Sequence, residues 1–194
     1  MSTTITLNAA ELERVLVNGA LFAAPAKDYL PALEVVRFAW DGDSLLAVAT
    51  NRYVLSMEQV AYDGNGNTEG RDEFSIGVSD AKRVVSLLKA LRSPQFPVAV
   101  KYDSEAAKVT FMIDGDTMIV TTEHGNFPDW RKLVPVAEAV DSIMLGAQWL
   151  ALFAKVKADR GAPVKFTFNG VNKPVGVQIG EAFKAIVVPI RNAR

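Results

Sequence analysis

The sequence predicts an α+β fold in which a single β-α-β-β-β unit recurs, with helices on one face of antiparallel sheets. Three observations lead there. Short segments alternate apolar and polar residues with period two, as half-buried strands do. Amphipathic stretches with apolar residues spaced near 100° apart follow such a strand, next to a residue able to cap a helix. Asp-Gly-Asp triplets sit between alternating segments, where Asp-Gly favours a hairpin.

In the first unit Thr4 to Leu7 alternates, Asn8 can cap, and Leu12, Val15, Leu16 and Gly19 share one helical face. Strands are expected at 33–40, 44–50 and 53–62, divided by Asp41-Gly42-Asp43 and Asn51-Arg52. A polar, glycine-rich stretch over 63–70 reads as a loop before the second unit. There Phe74, Ile76 and Val78 alternate, and Ser79 or Asp80 can cap a helix. Val84, Leu87, Leu88 and Leu91 gather on one side of it, and Lys82, Arg83, Ser86 and Lys89 on the other. Pro94 and Pro97 end that helix, and strands follow at 98–103, 107–113 and 117–122, with Asp114-Gly115-Asp116 as the hairpin turn. The third unit occupies 141–191: a strand at 142–145, a helix at 147–158 carrying Trp149, Leu152, Phe153 and Val156, then strands near 163–168, 174–179 and 183–189. Between the second and third units, residues 124–135 contain two prolines and a central tryptophan, the composition of a packed, extended connector.

Composition narrows the chemistry. The 194 residues contain no cysteine and one histidine, His124, so thiolate zinc sites, iron–sulfur clusters and imidazole pairs have no ligands. Asp41, Asp43, Asp114 and Asp116 are the carboxylates that could suggest a metal, but each triplet lies where hairpin chemistry calls for Asp-Gly. His124 precedes a glycine and reads as a surface residue. Neither a phosphate-binding glycine loop nor a nucleophile–base pair is visible, so the chain reads as a non-enzyme without a cofactor. A net charge of -1 argues against coating nucleic acid by bulk charge, while leaving room for basic residues gathered on one surface. Apolar runs such as 185–190 fall well short of the roughly 20 residues that span a bilayer, and the first residues lack a basic stretch followed by an apolar run; a cytoplasmic protein is expected.

Several segments, in order, resemble one family. Residues 127–135, Phe-Pro-Asp-Trp-Arg-Lys-Leu-Val-Pro, are similar to the segment joining the second and third domains of the bacterial DNA polymerase III β sliding clamp. Val48-Ala49-Thr50-Asn51-Arg52-Tyr53-Val54-Leu55 resembles a segment of that clamp's second domain, and Leu30 to Leu33 the strand leading into it. Lys173-Pro174 and Ile186 to Arg191 resemble its C-terminal ending. The resemblance covers about residues 3–191 and implies a shortened clamp: a complete two-unit domain over 1–125, a connector over 126–138, and the latter half of a third domain over 139–194.

The resemblance implies a processivity factor that surrounds double-stranded DNA without reading its sequence. Arg14, Lys82, Arg83, Lys89 and Lys155 are the helix residues offered to phosphates, against the alternative that they form ordinary solvated faces. The third helix is poorer in this respect, since Ala147, Ala151 and Ala154 make up much of its polar side. A peptide pocket for polymerase and clamp loader is implied at Leu33, Thr50, Tyr53, Leu55, Pro128, Lys132, Leu133, Ile186, Val188, Pro189 and Ile190, with core packing the alternative for the aliphatic members. Arg52 and Tyr53 follow the motif loosely, so partner preference can differ. Clamps of this family close with twelve units, so three per chain implies a homo-oligomer of four. The competing expectations are a clamp-fold adaptor that binds a polymerase, RNA polymerase or another clamp without encircling DNA, and an unrelated enzyme with an acidic site.

Overall fold

The computed structural model describes residues 2–65, 73–122, 125–133, 143–170 and 172–190. The first unit contains β1 (Ser2–Asn8), α1 (Ala9–Phe22), β2 (Val35–Asp41), β3 (Ser44–Thr50) and β4 (Val54–Ala61), with a short β5 (Asp63–Asn65). The second contains β6 (Phe74–Gly77), α2 (Val78–Ala90), β7 (Pro97–Asp103), β8 (Lys108–Ile113) and β9 (Asp116–Thr121). The third contains α3 (Ala147–Phe153), β10 (Val164–Thr167), β11 (Val175–Ile179) and β12 (Phe183–Val187).

The first two units exchange their opening strands. β1 leaves its own unit to pair with β7, and β6 pairs with β2, both antiparallel. The resulting sheets have the orders β5-β1-β7-β8-β9 and β10-β11-β12-β4-β3-β2-β6. This exchange makes the two units one body, because neither sheet is complete without a strand from the other. α1 and α2 pack on each other. Leu12, Val15 and Leu16 from α1 and Val84, Val85 and Leu88 from α2 share one core with Ile5, Phe38, Phe74 and Val100. Gly19 is required by this packing: a Cβ there would lie 2.8 Å from the Val36 side chain, so a larger residue would push α1 off β2.

The second sheet does not stop at the end of the pair. β12 of the third unit adds to β4 with Val54 opposite Val187 and Glu58 opposite Phe183, so one seven-stranded sheet runs from the first unit into the third. Its helix side is filled by Phe22, whose ring centroid lies 5.5 Å from Phe153 and 5.4 Å from Phe183.

Asn8 accepts a hydrogen bond from the Ala10 N–H at 3.0 Å and caps α1 as its sequence indicates. Asp114 and Gly115 both take positive φ between paired Ile113 and Asp116, the conformation of a two-residue hairpin turn. Five expectations are corrected. Pro31–Leu33 form a 3-10 turn instead of the start of a strand, and β2 begins at Val35. α2 begins at Val78, ahead of Ser79 and Asp80, because the Val78 N–H donates to Glu34 O and needs no side-chain cap. Part of the 63–70 loop is strand β5, which pairs with β1. Residues 143–145 form no strand, residues 141–142 lying outside the described ones. α3 stops at Phe153 instead of 158: the Lys155 and Val156 N–H groups turn to the carbonyls three residues back, and the Lys157 N–H beyond them donates to Asn18 Oδ1 at 2.9 Å. His124, Val134, Pro135 and Arg191 lie outside the described residues. Within those residues, no helix is long and apolar enough to cross a membrane.

Candidate nucleic-acid and peptide interfaces

The three helices meet around a cleft of about 940 Å³, lined among others by Leu21, Ala24, Val78, Lys82, Trp149 and Leu152. All three helices thus contribute side chains to one cleft. Their outward faces differ in charge. On α2, Lys82, Arg83 and Lys89 are all exposed; Arg83 is paired with Asp80 at 3.0 Å, while Lys82 and Lys89 have no ion pair among the described residues. On α1, Arg14 Nε lies 2.7 Å from the buried Glu58 carboxylate, and Glu13 pairs with Lys157 at 2.8 Å. The Arg14 charge is thus committed to the interior, and α1 adds little free positive charge. Lys155 is exposed just past α3.

Glu58 belongs to a polar knot that sequence reasoning missed. Asn18 donates to Glu58 Oε2 at 2.7 Å and to Lys157 O at 3.2 Å, and accepts from Lys157 N–H. One buried side chain of α1 thereby holds both backbone groups of a residue in the third unit. Burial pushes the Glu58 carboxyl above the usual range, against the opposing pull of Asn18 and Arg14. The available signal was Asn18 itself, a polar residue within the apolar periodicity of α1.

On the other face of the seven-stranded sheet, the connector supplies a plug. Trp130 is buried with Leu55, Met57, Val48, Ala39 and Ile186, and the Arg131 guanidinium lies 4.3 Å from its ring centroid. Arg131 and Arg37 both bind Glu73, at 2.7 Å each. Burial alone would raise the Glu73 carboxyl, but the hydrogen bonds from Arg131 and Arg37 outweigh it and hold the group low. The connector is thus packed at its centre, with a 3-10 turn over Trp130–Leu133.

The eleven residues implied for a pocket divide into two groups. Leu33, Thr50, Leu55, Ile186 and Pro189 are buried. Tyr53, Pro128, Lys132, Leu133, Val188 and Ile190 are exposed around them, with Leu133 and Val188 each at 45% and Ile190 at 52%. Thr50 serves the turn: its hydroxyl donates to Val54 O at 2.8 Å and accepts from Arg52 N–H, while Asn51 Oδ1 accepts from Tyr53 and Val54 N–H. That turn, with Arg52 at φ 79, presents Tyr53 to stack on Trp149 at 5.0 Å, and the Val188 N–H donates to Tyr53 O. Buried and exposed members are continuous through paired strands, since Leu55 stands opposite both Thr50 and Ile186. The arrangement offers apolar side chains at the junction of the first and third units, beside the Trp130 plug.

No protein-family model matches the chain. A curated β sliding clamp of Streptomyces coelicolor is 25% identical over 157 residues, which make up 79% of this chain and 41% of that protein. The DNA polymerase III β subunit of Thermotoga maritima superposes with a TM-score of 0.82 at 14% identity, covering 98% of this chain and 66% of that one. The DNA polymerase sliding clamp of Bacillus subtilis gives 0.78 at 15% identity, covering 98% and 64%. The chain therefore spans about two fifths of the length of the curated relative and under two thirds of that of the Bacillus subtilis clamp.

Proposed function

We propose that this chain, which carries the fold of the bacterial DNA polymerase III β sliding clamps in shortened form, acts as a sliding clamp: several copies close a ring around duplex DNA, and the ring docks replication proteins. The observation that supports this reading is the uninterrupted sheet across β4 and β12 with all three helices lining one cleft, the arrangement that a segment of ring wall with helices toward the hole would have. Lys82, Arg83 and Lys89 on α2, with Lys155, are the inner residues available to phosphates; Arg14 orders the wall through Glu58. Few charges suit sliding, because phosphate contacts without base contacts are weak, exchangeable and sequence-blind. Catalysis plays no part in this role, and no cofactor is called for.

Polymerase and clamp-loader peptides would dock at the exposed apolar residues Tyr53, Leu133, Val188 and Ile190, seated on buried Leu55 and Ile186. A short peptide with one or two hydrophobic anchors fits such a surface. One chain cannot surround DNA, so the reading requires a homo-oligomer, and three units per chain give four copies for a ring of twelve. A second reading, a clamp-fold adaptor that docks peptides without encircling DNA, is favoured by α1, where Glu11 and Glu13 flank an arginine already paired with Glu58.

The deciding experiment measures solution mass by light scattering and retention on circular DNA before and after linearisation. A tetramer held on circles and lost from linear ends supports the ring. A monomer or dimer released equally from both overturns it in favour of the adaptor.

A further inference from the structure

The first two units complete each other, and among the described residues the third lacks that completion. In the pair, the strand after each helix receives the opening strand of the other unit: Val36 faces Ile76 and Phe38 faces Phe74 in one sheet, Val98 faces Leu7 and Val100 faces Ile5 in the other. These residues point toward the helices and are at most 3% exposed. β10 is the corresponding strand of the third unit. Among the described residues it pairs with β11 on one edge only, and all four of its residues are exposed. Val164 stands opposite Ile179 and Phe166 opposite Val177, so both lie on the side where Ile179 and Val177 enter the core with Phe22 and Phe153. They are nevertheless 44% and 40% exposed, with Phe168 at 43% beyond them. These are core positions without their cover.

The opening segment of the third unit is also half engaged. In the first unit β5 holds the outer edge of β1 while β7 takes the other edge. In the third, the Ile190 N–H donates to Met144 O at 2.8 Å, so the segment after β12 lies beside residues 143–145. The other edge, which in β1 goes to the second unit, has no strand beside it among the described residues.

We infer that the third unit is one half of a twofold domain completed by the same half of a second copy: residues 143–146 of each chain add as a strand to β10 of the other, and α3 packs on α3 as α1 packs on α2. The occupant follows from continuity with the pairing inside the chain. A second copy supplies both missing parts at once, a strand for β10 and a helix over Val164 and Phe166, and satisfies its own at the same contact. The inference rests on the assembly proposed above and specifies one of its contacts.

The residues two and four before each helix face inward in the pair, Leu7 and Ile5 before α1, Ile76 and Phe74 before α2. The matching residue before α3 is Leu145, which then lies opposite Val164 or Phe166 and never opposite Lys165, on the other face of the strand. Because the chain has no cysteine, single-cysteine variants test this directly. Leu145→Cys is mixed with Val164→Cys, with Phe166→Cys, or with Lys165→Cys under mild oxidation, and the mass of the unmodified chain is measured alongside. A mixed covalent dimer in one of the first two mixtures, forming about tenfold or more faster than with Lys165→Cys, together with an unmodified chain larger than a monomer, is the expected result. No preferred dimer in either mixture, or a monomeric unmodified chain, overturns the inference. Preferred cross-linking without retention on circular DNA leaves this contact standing and removes the ring; retention without it removes the contact and leaves the clamp.

Discussion

The complete pair of units and the single third unit use the same element differently. In the pair, the strand after the helix buries Val36 and Phe38 at 0% and 2% exposure; in the third unit the corresponding strand leaves Val164 and Phe166 at 44% and 40%. The sequences are equally apolar at these positions. What differs is the neighbour, and burial in this fold is therefore a property of paired units and not of the strand. The third unit gains its order from the first instead, through the β4–β12 pairing, the Phe22 contacts and the Asn18 knot.

The largest break in this comparison comes from Phe22→Ala. Phe22 is fully buried against Phe153 and Phe183, and its removal is expected to cost about 3–5 kcal/mol in chemical denaturation. Limited proteolysis locates the loss: cleavage within 143–190 should accelerate before cleavage within the pair. Asn18→Ala comes next, at about 1–3 kcal/mol, because it leaves both backbone groups of Lys157 and the buried Glu58 without that partner. Hydrogen exchange should show faster exchange at the end of α3, with α2 unaffected.

Acid separates two carboxylates. Glu58 has a raised folded value, so the cost of burying its charge is present above that value and is relieved as pH falls through it toward the ordinary carboxylate value. Glu73 has a lowered folded value, so its bridge to Arg37 and Arg131 stabilises above the ordinary value and is lost as pH falls through the folded one. Stability measured against pH should thus lose the upper of these slopes in Glu58→Gln and the lower in Glu73→Gln. The smallest effect is expected from Ile119→Thr, 61% exposed on β9, within about 0.5 kcal/mol in the same denaturation assay.

The pair was legible because its signals are local. Asn8 caps where it stands, the Asp-Gly turns form between the strands that flank them, and the apolar periodicity of α2 faces the core it predicts. The third unit was legible in order but not in extent. Residues 154–158 continue a helical composition, yet the chain tightens into three-residue turns after Phe153, and Asn18, far away in sequence, takes the Lys157 N–H. Residues 143–145 are apolar and suit a buried strand, but a strand needs a neighbour on its ladder, and among the described residues one edge has none. The site residues read from motifs also mixed two physical roles, since Leu55 and Ile186 form the floor while Val188 and Ile190 reach solvent. Trp130, which seals that floor, stood in the connector as its central aromatic and could have been assigned to it.

A half that is completed by its own copy also bears on direction. Units that exchange strands, as the first two do, are related by a half-turn about an axis passing between their helices and out through the sheets. A half-turn about such an axis interchanges the upper and lower rims of the wall. A hoop closed through contacts of this kind has no front and no back: both rims carry the same docking residues, and a machine moving along the duplex meets the same surface whichever way it travels.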